Sequence, residues 1–139
     1  ETILLVDDEP NILEVTEEML QTIGYRVLTA SNGREAIALF EKTGQEVDLT
    51  ILDMIMPGLS GGETFDRIRE IAPKARVLLS SGYSIKGEAQ KILDRGCNGF
   101  IQKPYNLEKL SEKLQQILGR KEDDTQEADA PKSKLKVVG

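Results

Sequence analysis

The stretch Asp48-Leu49-Thr50-Ile51-Leu52-Asp53-Met54-Ile55-Met56-Pro57-Gly58 constrains the fold more than any other part of the chain. Its apolar run, residues 49–52, lacks period-2 alternation, the pattern of a strand buried on both faces. The run ends abruptly in a carboxylate and then breaks into a Pro-Gly turn. Asp53 is thereby placed where a strand leaves the sheet, and open α/β sheets bind ligands outside the carboxyl ends of their strands. One isolated Asp at such a point is most simply a turn cap. Here three other segments deliver polar groups to the same kind of position.

Thr2-Ile3-Leu4-Leu5-Val6 reads as a second buried strand, ending in Asp7-Asp8-Glu9-Pro10. Pro10 suits the first turn of a helix, where its missing N–H costs nothing. Ile12, Val15, Met19, Leu20 and Ile23 repeat at helical spacing on an inner face until Gly24 stops the helix. Residues 25–30 form a short strand, and Ser31-Asn32-Gly33 turns into a helix with Ala36, Ile37, Leu39 and Phe40 inside, ending near Gly44. After the third strand, Gly61-Gly62 leads into a helix carrying Phe65, Ile68, Ile71 and Ala72, which Pro73 terminates. Residues 77–80 are the fourth strand, with Ser80 as its last residue, and a short helix spans about 86–95. Gly99-Phe100-Ile101-Gln102 is a brief fifth strand before Lys103-Pro104. Leu107, Leu110, Leu114, Ile117 and Leu118 pattern the last helix, with Asn106 as its N-cap.

Five strands alternating with five helices predict an α/β fold, a doubly wound parallel sheet with helices on both faces. Right-handed crossovers leave few topologies, and the flavodoxin-like (βα)5 order 2-1-3-4-5 is expected. Residues 1–118 make this single domain. Residues 119–139 carry acids first (Glu122, Asp123, Asp124, Glu127, Asp129) and lysines later (Lys132, Lys134, Lys136), and read as a charged linker or tail.

Composition narrows the chemistry. The chain has no histidine and one cysteine, Cys97. Histidine catalysis, an internal disulfide and a cysteine-based zinc site are excluded, and a reducing cytoplasm is the expected compartment. No signal sequence opens the chain and no run approaches the length of a membrane span. The net charge of -6 argues against direct nucleic-acid binding.

In the expected strand order, Asp7 and Asp8, Asp53, Ser80 and Ser81, and Lys103 lie at adjacent strand ends along one edge. Crowded carboxylates repel unless a cation sits among them. A hard divalent ion with oxygen ligands answers this, and Mg²⁺ asks for few protein ligands plus waters. Asp8 and Asp53 are the best direct ligands, with a backbone carbonyl near Ile55 as a third and Asp7 acting through water. Mn²⁺ is the expected substitute. A carboxylate beside Mg²⁺ and a lysine is equipped to accept a phosphoryl group as an aspartyl-phosphate.

Over residues 2–118 the chain resembles the response-regulator receiver domains of two-component signalling. The resemblance rests on Leu5-Val6-Asp7-Asp8-Glu9-Pro10, Leu52-Asp53-Met54-Ile55-Met56-Pro57-Gly58, Ser81-Gly82 and Phe100-Ile101-Gln102-Lys103-Pro104, in that order. It implies that Asp53 is the phosphoacceptor, charged by a histidine kinase or phosphotransfer protein. It also implies that Asp7, Asp8, Asp53 and the Ile55 carbonyl organise Mg²⁺, and that Lys103 and Ser81 contact the phosphoryl oxygens. Lys103-Pro104 is then a cis peptide, and Ser81 with Phe100 forms a switch acting on the face of helix 4, strand 5 and helix 5. Ile85, Gln90, Phe100 and Lys109 are candidates for that face, through which a homodimer could also form.

Ile55 is bulky and apolar where some members carry polar residues that help water attack, and Tyr83 is also large, so slow self-dephosphorylation is expected. The segment after strand 4, Ser-Gly-Tyr-Ser, resembles receiver segments of hybrid histidine kinases. A start directly on the first strand, without an initiator Met, fits a segment of a longer protein. Residues 119–139 offer no output domain. Other classes remain open at this point. A degenerate receiver acting only as an interaction module shares the fold. A haloacid-dehalogenase-like phosphatase needs a second acid two residues after its nucleophile, where this chain has Ile55. A flavin carrier needs a Ser/Thr/Gly-rich phosphate loop where it has Asp7-Asp8-Glu9.

Overall fold

A computed structural model describes residues 1–43, 46–82 and 87–119, and the structural statements here concern those residues. The elements follow in the order β1 (Thr2–Val6), α1 (Pro10–Thr22), β2 (Arg26–Ala30), α2 (Gly33–Thr43), β3 (Leu49–Asp53), α3 (Gly61–Ile71), β4 (Val77–Ser81), α4 (Glu88–Asp94), β5 (Gly99–Gln102) and α5 (Leu107–Leu114). A π-helical turn, Gln115–Gly119, continues α5. The five strands form one sheet in the order β2-β1-β3-β4-β5, every neighbouring pair parallel.

The uniform burial of β1, β3 and β4 explains their unbroken apolar runs, since helices cover both faces. Successive strand residues point to opposite faces, and two apolar clusters result. Leu4, Val6, Leu52, Val77 and Leu79 pack with Phe40, Phe65, Ile68 and Ile92 on the α2–α3–α4 side. Ile3, Leu5, Leu49, Ile51, Leu78 and Ile101 pack with Leu20, Leu110 and Leu114 on the side of α1 and α5. This division of alternate residues decides which polar groups meet at the strand ends.

Two helix starts bear on the site. Pro10 occupies the first turn of α1. At α3, the Ser60 side chain accepts from the Glu63 backbone N–H while the Glu63 side chain accepts from the Ser60 N–H, a reciprocal capping box. Gly61, the first residue of α3, lies so close to the end of β3 that an added Cβ would sit 2.6 Å from Met54 Cα and 2.7 Å from the Asp53 carbonyl oxygen.

Several expectations need correction. Val15, assigned to the inner face of α1, is 56% exposed, because that helix turns Thr16 and Leu20 to the sheet and leaves Val15 to one side. Ile71 is also exposed, standing at the last residue of α3. β4 runs one residue further than expected, through Ser81. Tyr25 precedes β2 instead of opening it, its N–H closing the preceding turn on the Leu20 carbonyl. The last helix changes to a π turn after Leu114, and this wider turn keeps Leu118 buried. The ends of the second helix near Gly44 and of the fourth near Lys86 lie outside the described residues, as do Tyr83, Ile85 and the tail from residue 120.

Candidate functional site

Strand alternation assembles the site. Asp7 continues the row of Ile3 and Leu5 one step past β1. Asp53 ends the row of Leu49 and Ile51, and Lys103 continues that of Ile101 past β5. All three project on the α1–α5 side at the carboxyl edge of the sheet. Asp7 and Asp53 are buried, 2% and 5% exposed, and Asp8 is the most open of the three acids. One carboxylate oxygen from each of Asp7, Asp8 and Asp53 lies within 4.8 Å of the others.

Lys103 is the cation among them. Its Nζ donates to Asp7 Oδ2 at 2.7 Å and to Asp53 Oδ1 at 3.2 Å. The second Asp7 oxygen, Oδ1, accepts from the Glu9 backbone N–H at 3.0 Å. Burial pushes the Asp53 carboxyl up to about 6; Lys103 works against that rise, and the charges of Asp7 and Asp8 add to it. For Lys103, burial favours loss of the proton, but the Asp7 hydrogen bond and the charges of Asp53 and Asp7 outweigh it and hold the ammonium above its ordinary value. One lysine therefore leaves Asp53 under-compensated. Three oxygen donors with a charge deficit suit a hard cation, and nothing soft is present in the cluster.

The serines divide between faces. Ser80 is the register partner of Asp53 and shares its side of the sheet, whereas Ser81 lies on the opposite side with Leu79. Ser81 is buried, and its carbonyl accepts from the Lys103 backbone N–H at 2.8 Å. Phe100 is the partner of Leu79 and packs on the α2–α3–α4 cluster, so Ser81 and Phe100 occupy one face, that of α4. The Lys103-Pro104 peptide is cis. Ile55 stands on the β3–α3 connection, 55% exposed, in a shallow cleft with Met56, Glu88 and Ile92. Gln90 and Lys109 are exposed on α4 and α5.

Sequence reasoning passed over two features. Tyr105, directly after the cis peptide, is half-buried against the α1–α5 cluster, with its hydroxyl by the Thr16 side chain on α1. This ties the β5–α5 connection, and with it Lys103, to α1. The second is an apolar groove of about 580 Å3 between α1 and that connection, with Val15 on its wall. The exposed Val15 was its only sequence trace, and helical spacing had placed that residue inside.

Comparison with known proteins agrees with this geometry. The family model for the response regulator receiver domain matches residues 3–115. The sensor kinase CckA of Brucella abortus is 31% identical over 121 residues, covering 87% of this chain and 13% of that protein. Among solved structures, a response regulator receiver domain protein from Clostridium thermocellum superposes with a TM-score of 0.82 at 31% identity, covering 87% of this chain and 96% of that one. The response regulator TrrA of Thermotoga maritima, solved in complex with Mg²⁺-BeF, gives 0.75 at 38% identity, with 85% and 99% covered. The chain spans only 13–57% of the length of several curated relatives it matches. Receiver domains are signalling switches that bind Mg²⁺ at their acidic site and interact with histidine kinases or phosphotransfer proteins. With the fold, the strand order and the acidic edge in agreement, this chain belongs to the response-regulator receiver domains of two-component systems.

Proposed function

We propose that this chain accepts a phosphoryl group on Asp53 from a phosphohistidine of a partner kinase or phosphotransfer protein. The observation that carries the reading is the meeting of Asp7, Asp8 and Asp53 within 4.8 Å, with the Lys103 ammonium on two of them. In the transfer, an Asp53 oxygen forms a bond to phosphorus as the P–N bond to the donor ring breaks, and the ring, already protonated on its other nitrogen, leaves as neutral imidazole. Asp8, Asp53 and the Ile55 carbonyl, with Asp7 through water, would hold Mg²⁺, which when bound would neutralise charge on the carboxylates and the phosphoryl oxygens. Mn²⁺ would serve in its place. Lys103 gives up part of its hold on Asp53 to pair a phosphoryl oxygen.

Ser81 is the hydroxyl that turns toward the phosphoryl group, and Phe100 fills the space it leaves. Their common face supports this coupling. The element so biased is the surface of α4, β5 and α5, where effectors bind or a second copy pairs. The likeness to a sensor kinase over its receiver portion supports a hybrid kinase as the parent protein. No described helix is long and apolar enough to cross a membrane. A cytoplasmic place for this segment fits a donor that presents phosphohistidine.

Incubation with Mg²⁺ and acetyl phosphate tests the reading. One added phosphate by intact mass, lost in Asp53→Asn, is the expected result. No adduct with any donor, or one that survives Asp53→Asn, overturns it and leaves an interaction-only module.

A further inference from the structure

α4 is the shortest of the five α-helices, seven residues from Glu88 to Asp94. A helix so short is held by what it packs against more than by its own hydrogen bonds. Its C-terminal end is tied down in two places. Arg95, the C-cap, forks onto Asp66 of α3, with Nε 3.0 Å from Oδ1 and Nη2 3.3 Å from Oδ2. Its Nη2 also donates to the Gly62 carbonyl at 3.5 Å. Such a two-pronged pair keeps its geometry at the surface, where a single contact is worth little. Arg69, in the last turn of α3, donates from Nη2 to the Gly96 carbonyl at 2.9 Å and to Asn98 Oδ1 at 3.0 Å, and from Nε to the Ala75 carbonyl at 2.8 Å. Asn98 Oδ1 accepts from the Val77 N–H as well, at 2.8 Å, so the turn after α4 is joined to α3 and to the first residue of β4. Gly96 makes room for this arrangement. Its φ is +106°, and a Cβ added there would stand 3.3 Å from Arg69 Nη1.

The other end is not held in this way. Gly87 caps it with φ 60° and no side-chain hydrogen bond. Glu88 pairs with Lys91 at 3.6 Å, and the Gln90 side chain donates to Asp94 at 2.9 Å, contacts that stay within the helix. Of Glu88, Ala89 and Gln90, only Ala89 is buried, so the first turn is packed by one methyl group. Beside that turn lies a cleft of about 240 Å3, with Ile55, Met56 and Ser60 of the β3–α3 connection on one wall and Glu88 and Ile92 on the other.

We propose that α4 is a lever clamped at Arg95 and Gly96, whose first turn opens and closes the cleft over Ile55 and so sets how readily water reaches the acceptor. A helix of this length rises about 10 Å, so a tilt of roughly 15° about the clamped end carries the first turn about 2–3 Å. The clamped turn moves by a fraction of that, within the tolerance of its hydrogen bonds. The cleft supplies the space for the swing. Closing covers Ile55, which is 55% exposed and stands two residues beyond Asp53. Apolar surface leaves water in that step, which favours the closed position, while Ile92 in the apolar cluster keeps the clamped half in place. The shielding of the acceptor rests on the reading of Asp53 as phosphoacceptor; the lever itself does not.

The test begins on the full 139-residue chain without phosphodonor, where its outcome is independent of whether Asp53 accepts a phosphoryl group. Amide relaxation dispersion reads exchange on the microsecond-to-millisecond scale of helix motions. Exchange is expected at Ile55, Ala89 and Gln90 and not at Arg95, Gly96 or Asn98. In Asp66→Asn and Arg95→Gln, both at half-exposed positions, it is expected to spread to Arg95 and Gly96 and to grow severalfold. Arg69→Lys, which keeps the charge but loses the fork, is expected to extend it to Asn98. Exchange uniform along wild-type α4, exchange confined to residues 95–98, none in α4, or a pattern that all three variants leave unchanged overturns the lever. After labelling with acetyl phosphate and removal of the donor, the phosphorylated mass is expected to decay severalfold faster in Asp66→Asn than in wild type. Equal decay overturns the shielding. A chain that takes up no phosphate overturns the phosphoacceptor reading instead, and the exchange pattern still decides the lever.

Discussion

Lys103 follows β5 and Asp53 ends β3, strands that are not neighbours, yet the lysine Nζ stands 3.2 Å from Asp53 Oδ1. The lysine stem crosses the end of β4 to get there, and its ammonium also meets Asp7 Oδ2 at 2.7 Å. It thus occupies, in part, the electrostatic role of a divalent ion. Cation and ammonium compete for the same carboxylates before transfer and cooperate only once phosphoryl oxygens are present. Lys103→Ala is therefore expected to tighten Mg²⁺ binding by about 1 kcal/mol, roughly fivefold. The same change is expected to slow phosphorylation by acetyl phosphate about 10–100-fold, through loss of a charged hydrogen bond worth about 1.5–3 kcal/mol. Calorimetric titration and intact-mass kinetics measure the two effects. Weaker Mg²⁺ binding in Lys103→Ala would mean that the lysine organises the carboxylates instead of competing for them.

Asp53 also gives a pH dependence of defined sign. Its folded-state value, raised from 3.8 to about 6, means that the native protein holds this proton more tightly than the unfolded chain. The stabilisation is fully present below about 3.8 and is lost as pH rises through about 6. Without metal, Asp53→Asn is expected to be more stable than wild type at pH 7.5 by about 1–2 kcal/mol, with the gap closing toward pH 4. Saturating Mg²⁺ narrows it from the other side by stabilising the wild type. Thermal melts across this range with and without Mg²⁺ read the difference. A gap that widens on acidification would place the perturbed proton elsewhere.

Ile55 offers a kinetic test with little structural risk. More than half exposed, it contributes little to the core, so Ile55→Asn is expected to change stability by less than about 0.5 kcal/mol. An amide at that position can orient a water toward the phosphorus, which the isoleucine cannot. The aspartyl-phosphate lifetime is expected to fall about tenfold, a barrier change of about 1.4 kcal/mol. Decay of the phosphorylated mass after donor removal measures it. An unchanged lifetime would remove Ile55 from the control of hydrolysis.

The residues legible in sequence were those whose pattern has one structural meaning. Unbroken apolar runs ending in Asp7-Asp8, Asp53 and Ser80-Ser81 read as strands covered on both faces, and parallel order then carried their ends, with Lys103 after the shorter edge strand β5, to one edge. Val15 was misplaced because helical spacing defines a stripe without saying how wide the helix contact is. α1 buries Thr16, a polar residue, and leaves Val15 on the wall of a groove. The Thr16–Tyr105 contact was invisible because two residues on separate elements meet only through packing. The Ser60–Glu63 capping box was readable from its spacing, but the adjacent glycines drew the helix start instead.

Those two glycines separate backbone packing from helix propensity. A Cβ at Gly61 would meet main-chain atoms, Met54 Cα at 2.6 Å and the Asp53 carbonyl oxygen at 2.7 Å, and neither can move without shifting the end of β3. A Cβ at Gly62 would meet only side-chain atoms, the nearest being Ile92 Cδ1 at 3.3 Å and Arg95 Nη2 at 3.4 Å. Gly61→Ala is expected to cost about 1–3 kcal/mol through overpacking. Because the strained atoms belong to and follow Asp53, it is also expected to slow acetyl phosphate transfer and weaken Mg²⁺ binding. At Gly62 the gain from alanine in a helix, about 0.5–1 kcal/mol, offsets the tight contact, and Gly62→Ala is expected to stay within about 1 kcal/mol of wild type with unchanged phosphorylation. Denaturant melts and phosphorylation rates on the two single variants decide the matter. Equal losses in both would show that the close approach of α3 to Asp53 does not set the position of the acceptor.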